Sequence, residues 1–155
     1  MVITGSKDLK LKYRKLSRLV LDAAGPDIQT ACDIEYPFGV NYREVALTRA
    51  YKLHCRLVFF GCLPDWKNTS DNPQQVLTDF ITKCLDFANS QFMNHIAFPT
   101  LGTGALKYPH HVMAKTMKSC IENFNQKHMN YNTRFLQHVT IVIFDKSKDC
   151  RVMEN

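Results

Sequence analysis

One stretch of the sequence decides how the fold is interpreted: Phe98-Pro99-Thr100-Leu101-Gly102-Thr103-Gly104-Ala105-Leu106-Lys107-Tyr108-Pro109. It joins the end of a short apolar run to the start of an amphipathic pattern, so it reads as a strand-to-helix connection. Gly102 and Gly104 allow the backbone to turn with positive φ and to approach a ligand closely. A helix N-terminus presents unpaired N–H groups and a partial positive charge. The loop is therefore a candidate anion site beyond the carboxyl end of a strand, where open α/β sheets bind ligands.

The same loop can also be a tight turn without a ligand. A lone Gly-x-Gly is a weak signal, and neither familiar nucleotide motif is complete here. No Gly-Lys-Ser/Thr follows, as a P-loop requires, and the third glycine of the dinucleotide-binding pattern is absent. The residues of the loop alone leave both interpretations open.

The region before the loop shows a helical period followed by a strand. Apolar residues recur at helical spacing over residues 76–88, with Asn72 as a candidate N-cap and Pro73 at the first helical position. Residues 95–98 form a short apolar run that stops at Pro99, as a buried strand does. A helix and then a strand are predicted here.

The region after the loop repeats that order. Pro109 opens a second amphipathic helix over residues 112–124, and residues 138–144 form a final strand. The polar segment 125–134 between them is expected to loop across the surface.

The N-terminal part adds a helix and two strands. Residues 16–24 form a helical face that ends at Gly25-Pro26, and residues 45–48 and 53–60 read as strands. Strands joined by crossover helices predict an α/β fold, with a mixed, largely parallel sheet covered on both faces. The length of 155 residues and the hydrophobic fraction of 45% suit a single domain over residues 1–155.

Charge and hydropathy narrow the classes of partner. The net charge of +6 favours anionic partners in general. Residues 7–18 are the densest basic stretch and include Tyr13, which fits either a solvated helix approach or a nucleic-acid patch. No apolar run approaches the roughly 20 residues of a membrane span, and no signal peptide is visible. An intracellular protein without a membrane partner is expected.

Cysteines and histidines show no pattern of a metal or catalytic site. The six cysteines form no Cys-x-x-Cys pair and have no histidine at metal-ligand spacing, so reduced structural thiols are expected. The six histidines give no arrangement of nucleophile and base by spacing. His110 and His111, at a helix start, are the only pair near the loop, and they read as exposed helix residues.

The loop and several other segments together resemble the macro domain family. Pro99-x-x-Gly102-Thr103-Gly104-x-x-x-Tyr108-Pro109 is similar to its second phosphate-binding loop, and Leu16-Ser17-Arg18-x-x-Leu21-x-Ala23-Ala24-Gly25-Pro26 to its first helix. The next two strands and the turn after them are matched by Ala46-Leu47-Thr48-x-Ala50-Tyr51-x-Leu53 and Pro64-x-Trp66. The sequence of these segments is most similar to macro domains of the macro-domain-containing ADP-ribosyltransferases (PARP family), although no transferase domain is present.

This resemblance implies a three-layer α/β/α fold and a ligand, namely ADP-ribose or an ADP-ribosylated protein, with no cofactor and no metal. Tyr108 either corresponds to the aromatic that flanks the distal ribose or packs at the helix start. Phe144 either lies against the adenosine or closes the last strand as a core residue. Asp145 lies near the adenosine end, or only caps a turn. The ligand-binding residues that the resemblance implies are Gly102, Thr103, Gly104, Ala105, Leu106, Tyr108, Phe144 and Asp145.

The sequence departs from the family at the opposite half of the site. Macro domains normally begin with two strands, an asparagine-bearing strand end and a glycine run, and this chain begins too late for the first strand. Ile3 and Ser6 stand where the family has asparagines, and Lys12-Tyr13-Arg14 stands where it has the glycines. Lys107 replaces another glycine. Lys12 and Arg14 are able to pair with a diphosphate instead.

These departures predict a weakened ADP-ribose-binding module without catalysis, truncated at the N-terminus, of reduced stability, and acting in the nucleus or the cytoplasm. An enzyme that removes ADP-ribose from proteins is the second hypothesis, because the fold supports it. A structural or nucleic-acid-associated domain that uses only the fold and the positive charge is the third.

Overall fold

The computed structural model describes residues 1–67, 70–129, 131–144 and 151–154. Within these residues the chain forms six strands and four α-helices, together with short 3-10 turns at Leu11–Tyr13 and Tyr131–Thr133. The strands are β1 (Val2–Thr4), β2 (Ala46–Arg49), β3 (Leu57–Gly61), β4 (His95–Pro99), β5 (His138–Ile143) and β6 (Arg151–Glu154). The helices are α1 (Lys15–Ala24), α2 (Asp27–Glu35), α3 (Pro73–Ser90) and α4 (His110–Lys127).

The strands pair in two groups of three, in the orders β1-β3-β2 and β4-β5-β6. β1 is parallel to β3, and β4 is parallel to β5, whereas β2 and β6 are antiparallel outer strands. β1 of the first group lies beside β4 of the second. The mixed sheet of the sequence prediction is therefore present, with one antiparallel strand at the outer side of each group.

Alternation along the strands separates two cores. Val2 and Phe59 pack in a cluster with α3 and α4, whereas Ile3 and Phe60 pack in a cluster with α1 and α2. Because successive side chains of a strand point to opposite faces, the two clusters lie on opposite faces of the sheet. The three-layer α/β/α arrangement is confirmed. The helices cover the sheet unevenly, since Val142 of β5 is 39% exposed.

Local signals in the sequence explain where the helices begin and end. The Asn72 side chain accepts a hydrogen bond from the Gln75 N–H at 3.1 Å and caps α3, as predicted. Gly25 ends α1 with φ +90°, a conformation that glycine adopts without strain. Helix α4 continues to Lys127, into the segment that was expected to loop, because Phe124 still contributes a buried side chain near its end.

The first and the last of the described strands both pair with a neighbouring strand. β1 keeps three residues, Val2–Thr4, and all of them pair with β3. At the other side, β6 pairs with β5 from Thr140↔Glu154 to Ile143↔Arg151. Both β3 and β5 therefore have a neighbour on each side, and the outer neighbour of β5 is a C-terminal segment that no sequence periodicity indicates.

Candidate functional site

The candidate loop leaves β4 at Pro99 and reaches α4 at His110. Gly102 has φ +71°, and a Cβ at this position would stand 2.6 Å from the Tyr108 ring. The Tyr108 N–H donates to the Gly102 carbonyl at 3.0 Å. Glycine is therefore required at residue 102 by both the backbone conformation and the close packing.

The middle of the loop offers free backbone donors. The Lys107 N–H donates to the Gly104 carbonyl at 3.1 Å, and the Thr103 hydroxyl donates to the Thr100 carbonyl at 2.9 Å. The N–H groups of residues 102–106, in contrast, form no hydrogen bond to another described residue. A Cβ at Gly104 would meet no atom within 4 Å, so open space adjoins the loop there. Consecutive free amides beside open space are what an anion cradle requires.

Two aromatic rings support the loop from beneath. The Trp66 N–H donates to the Leu106 carbonyl at 3.0 Å, and the rings of Trp66 and Tyr108 lie 5.2 Å apart. Tyr108 is only 2% exposed, and its hydroxyl has no hydrogen-bond partner among the described residues. Burial raises the pKa of this hydroxyl well above its ordinary value, so the phenol stays neutral. Tyr108 therefore holds the loop against the core.

Phe144 lies on the same edge of the sheet as the loop. Pro99 of β4 is paired with Val142 of β5, so Phe144 follows β5 where the loop follows β4. The Phe144 ring is 70% exposed, and the Lys15 ammonium at the start of α1 lies 5.7 Å from its centre. Asp145, the last residue of the sequence prediction, lies outside the described residues. The loop, Phe144 and the start of α1 are thus brought to one side of the molecule.

A basic cavity of about 380 Å³ opens at the start of α1. None of its lining residues belongs to the loop at 99–109. They are Lys12, Tyr13, Arg14, Lys15, Arg18, Leu19 and Asp22. The sequence shows that residues 7–18 are basic, but their alternation of charged and apolar residues does not indicate a concave surface.

The macro domain family model matches residues 2–117. The chain belongs to the macro domain family. It is similar to the human protein mono-ADP-ribosyltransferase PARP14, with 32% identity over 121 residues, which are 77% of this chain and 7% of that protein. It is 29% identical to mouse PARP9 over 133 residues, which are 86% of this chain and 14% of that protein. The chain thus spans only a small part of these curated relatives.

Solved macro domain structures share its fold. The Oceanobacillus iheyensis macrodomain with ADP superposes with a TM-score of 0.80 at 24% identity, over 94% of this chain and 76% of that chain. The macro domain of ganglioside induced differentiation associated protein 2 also gives 0.80, at 20% identity, over 95% of this chain and 70% of that chain. The architecture inferred from the resemblance is confirmed.

Ile3 and Ser6, which the resemblance places at asparagine positions of the family, have other contacts in the structure. Ile3 is fully buried in β1 and packs in the core beneath α1 and α2. The Ser6 hydroxyl donates to the Asp8 carboxylate at 2.5 Å, and this hydrogen bond lowers the pKa of Asp8 below its ordinary value. Neither side chain carries an amide, so neither offers the paired donor and acceptor of an asparagine.

Lys107, which the resemblance places at a glycine position of the family, has a positive φ in the loop. Lys107 adopts φ +63°, a region that side chains with a Cβ occupy at a cost of roughly 1–2 kcal/mol. The backbone at Lys107 therefore has a conformation that glycine adopts more readily. The Lys107 side chain is exposed.

Four cysteines of this macro domain are buried, whereas Cys55 is exposed and so differs from the expected core thiols. Burial raises the pKa of the Cys32 and Cys62 thiols to about 11, and it also raises the pKa of Cys84 and Cys120. Neutral thiols are poor nucleophiles and poor metal ligands. No group of three or more His, Cys, Asp or Glu residues that could hold a metal ion occurs among the described residues. Structural thiols are confirmed for these four positions.

Two further expectations concern the surface. His110 and His111 are exposed at the start of α4, as predicted. In the part of the chain that the structure describes, no helix is long and apolar enough to cross a lipid bilayer.

Proposed function

We propose that this macro domain is a binding module for ADP-ribose or ADP-ribosylated proteins, and that the loop at residues 102–107 holds the phosphates. The observation that carries the proposal is the row of N–H groups at 102–106, which have no acceptor among the described residues and lie beside the open space at Gly104. A pyrophosphate supplies the acceptors that these donors need, and charge-assisted hydrogen bonds are the stronger kind. A macrodomain structure with ADP among the solved relatives supports the same ligand class.

The remaining ligand contacts are proposed from the edge of the sheet at which both the loop and Phe144 lie. Phe144 lies beside the loop, and its exposed ring offers a flat apolar surface for an adenine base. Thr103 and Ala105 contribute backbone, and Leu106 contributes its half-buried side chain at the rim. Asp145 remains a proposed contact at the adenosine end. Tyr108 is buried at the helix start, so we propose that it supports the loop from the core instead of flanking the distal ribose.

We further propose that the affinity is weakened and that catalysis is absent. Hydrolysis requires groups that hold the distal ribose and a water in a fixed geometry. Ile3 is committed to the core, and Ser6 is committed to Asp8, so neither orients a ribose. The side chains of Lys12, Tyr13 and Arg14 occupy the positions of a glycine run and project into a basic cavity instead.

Calorimetric titration with ADP-ribose tests this function. The wild-type domain is expected to bind with measurable heat, and Gly104→Glu is expected to abolish it, because a carboxylate then occupies the open space and repels the phosphates. Ser119→Glu, which adds the same charge at an exposed position of α4, is the matched control and should bind as the wild type does. Equal binding by the wild type and Gly104→Glu would refute the proposal.

A second candidate function rests on two bacterial relatives. Proteins named O-acetyl-ADP-ribose deacetylase are 29% identical to this chain over 89 residues in Cronobacter turicensis and over 112 residues in Escherichia fergusonii. An ester hydrolase would release acetate from O-acetyl-ADP-ribose, and a protein hydrolase would release ADP-ribose from a modified protein. Release by the wild type that Gly104→Glu abolishes would establish this second function in place of a pure binding module.

A further inference from the structure

The basic cavity at the start of α1 shares no lining residue with the phosphate loop, although it borders Phe144 on the same side of the molecule. Its lining comprises four cations, the ring of Tyr13, the apolar Leu19 and a single carboxylate, Asp22. We name this surface the α1 cleft. It is concave, and its positive charges exceed its negative ones, which concentrates anions near it.

The four cations of the α1 cleft differ from other exposed cations of the chain in their ion pairing. Lys12, Arg14, Lys15 and Arg18 form no ion pair with a described residue. Other exposed cations of the same chain do find carboxylates: Lys10 pairs with Asp33 at 2.8 Å, and Arg43 with Asp79 at 2.8 Å. Within the described part of the chain, positive charge thus accumulates in the cleft without an ion-pair partner.

Two exposed aromatic rings accompany these cations. Tyr13 is 63% exposed and lines the cleft, and Phe144 is 70% exposed at its border, where the Lys15 ammonium lies 5.7 Å from the ring centre. The Lys12 ammonium lies 5.1 Å from the centre of the Tyr13 ring. A base that stacks on either ring therefore brings its phosphate close to a cation.

We propose that the α1 cleft binds single-stranded nucleic acid. Single strands are recognised by a positively charged groove that follows the backbone, together with aromatic rings on which bases stack. A duplex hides the faces of its bases, so exposed rings give it no advantage. An acidic peptide would form ion pairs with the cations but would leave the aromatic rings without a stacking partner. The combination of unpaired cations with two accessible rings therefore favours a strand with free bases.

Fluorescence anisotropy with a labelled single-stranded RNA of about 12 nucleotides, within the usual site sizes, tests the proposal. Affinity is expected to fall as salt rises, with a slope in log K against log salt of about −0.7 for each phosphate contact. The double variant Lys12→Ala/Arg14→Ala should reduce that slope by about 1.4, as two lost contacts require. Tyr13→Ala should weaken binding roughly tenfold, in line with the loss of one stacked base.

Matched variants separate this site from net charge and from the proposed function. Lys115→Ala/Lys118→Ala removes the same charge from exposed positions of α4 and should leave RNA binding almost unchanged. Gly104→Glu should lose ADP-ribose and keep the RNA, so the two proposals fail independently. Circular dichroism of each variant verifies that it is folded.

Several outcomes would overturn the proposal. They are an absence of RNA binding at low salt, an equal loss in the α4 control, equal affinity for duplex RNA, and tighter binding of an ADP-ribose polymer that competes for the same cleft. Retained affinity in Tyr13→Ala would likewise exclude stacking. Loss confined to the cleft variants and to single strands would establish the site.

Discussion

Gly102 lies so close to Tyr108 that a Cβ on the glycine would stand 2.6 Å from the tyrosine ring. Tyr108 in turn donates its N–H to the Gly102 carbonyl, and its ring packs at a tilt against the ring of Trp66. The first glycine of the loop therefore serves the fold, whereas Gly104, with open space around its Cβ position, is free to serve a ligand. The two glycines of one motif have different roles, and each role predicts a different response to mutation.

Gly102→Ala is expected to lower the free energy of unfolding by about 2–4 kcal/mol. Alanine is strained at positive φ, and its Cβ would also overpack against the Tyr108 ring. Gly104→Ala should change stability by less than about 1 kcal/mol, near the intrinsic difference between the two residues. Urea denaturation of both variants measures the contrast. Equal effects would mean that the two glycines are not distinguished by their contacts.

Tyr108→Phe is expected to raise the free energy of unfolding by about 1 kcal/mol, because a buried hydroxyl without a partner costs desolvation energy. The ring contacts with Trp66 are kept. Thermal melting in parallel with the wild type measures the change. A destabilised variant would show that the hydroxyl has a bound water or another partner in solution.

Lys107→Gly is expected to stabilise the domain by up to about 1 kcal/mol, since glycine relieves the positive φ but loses more backbone entropy on folding. ADP-ribose affinity should stay the same or rise, because the loop keeps its shape. Chemical denaturation and calorimetry measure both quantities. Lys118→Gly, placed in the helical interior of α4, is the control and should destabilise instead.

The thiols predict how stability depends on alkaline pH. The folded pKa of the Cys32 and Cys62 thiols is raised from 9.0 to about 11, so the folded state favours the neutral form. Their contribution is fully present below pH 9 and is lost as the pH rises towards 11. The free energy of unfolding of the wild type should therefore fall more steeply across this window than that of Cys62→Ala. Parallel slopes for both proteins would contradict the assignment.

Removal of β6 tests the role of the C-terminal strand. A chain that ends after Phe144 leaves one side of β5 without its partner, and unpaired strand edges promote association. We expect a lower Tm and a concentration-dependent increase in apparent mass in size-exclusion chromatography. A chain that ends after Glu154 keeps β6 and should behave as the full protein does.

The sequence alone determined those features that depend on neighbours along the chain. The caps and periods of α3 and α4, the strands on either side of the loop, and the glycines of the loop are local signals, and each was predicted close to its observed place. The resemblance in these segments was sufficient for the family. Local hydrogen bonding and side-chain periodicity carry such information without reference to the rest of the fold.

Only the tertiary structure decided the features that depend on distant segments meeting. The pairing of β6 with β5, the burial of Tyr108 against Trp66, and the approach of Lys15 to Phe144 each join parts of the chain far apart in sequence. The α1 cleft is visible for the same reason, since a basic stretch becomes a concave surface only when the helix that carries it has packed. Long-range contacts of this kind are set by the packing of the whole chain, and no short window of residues contains them.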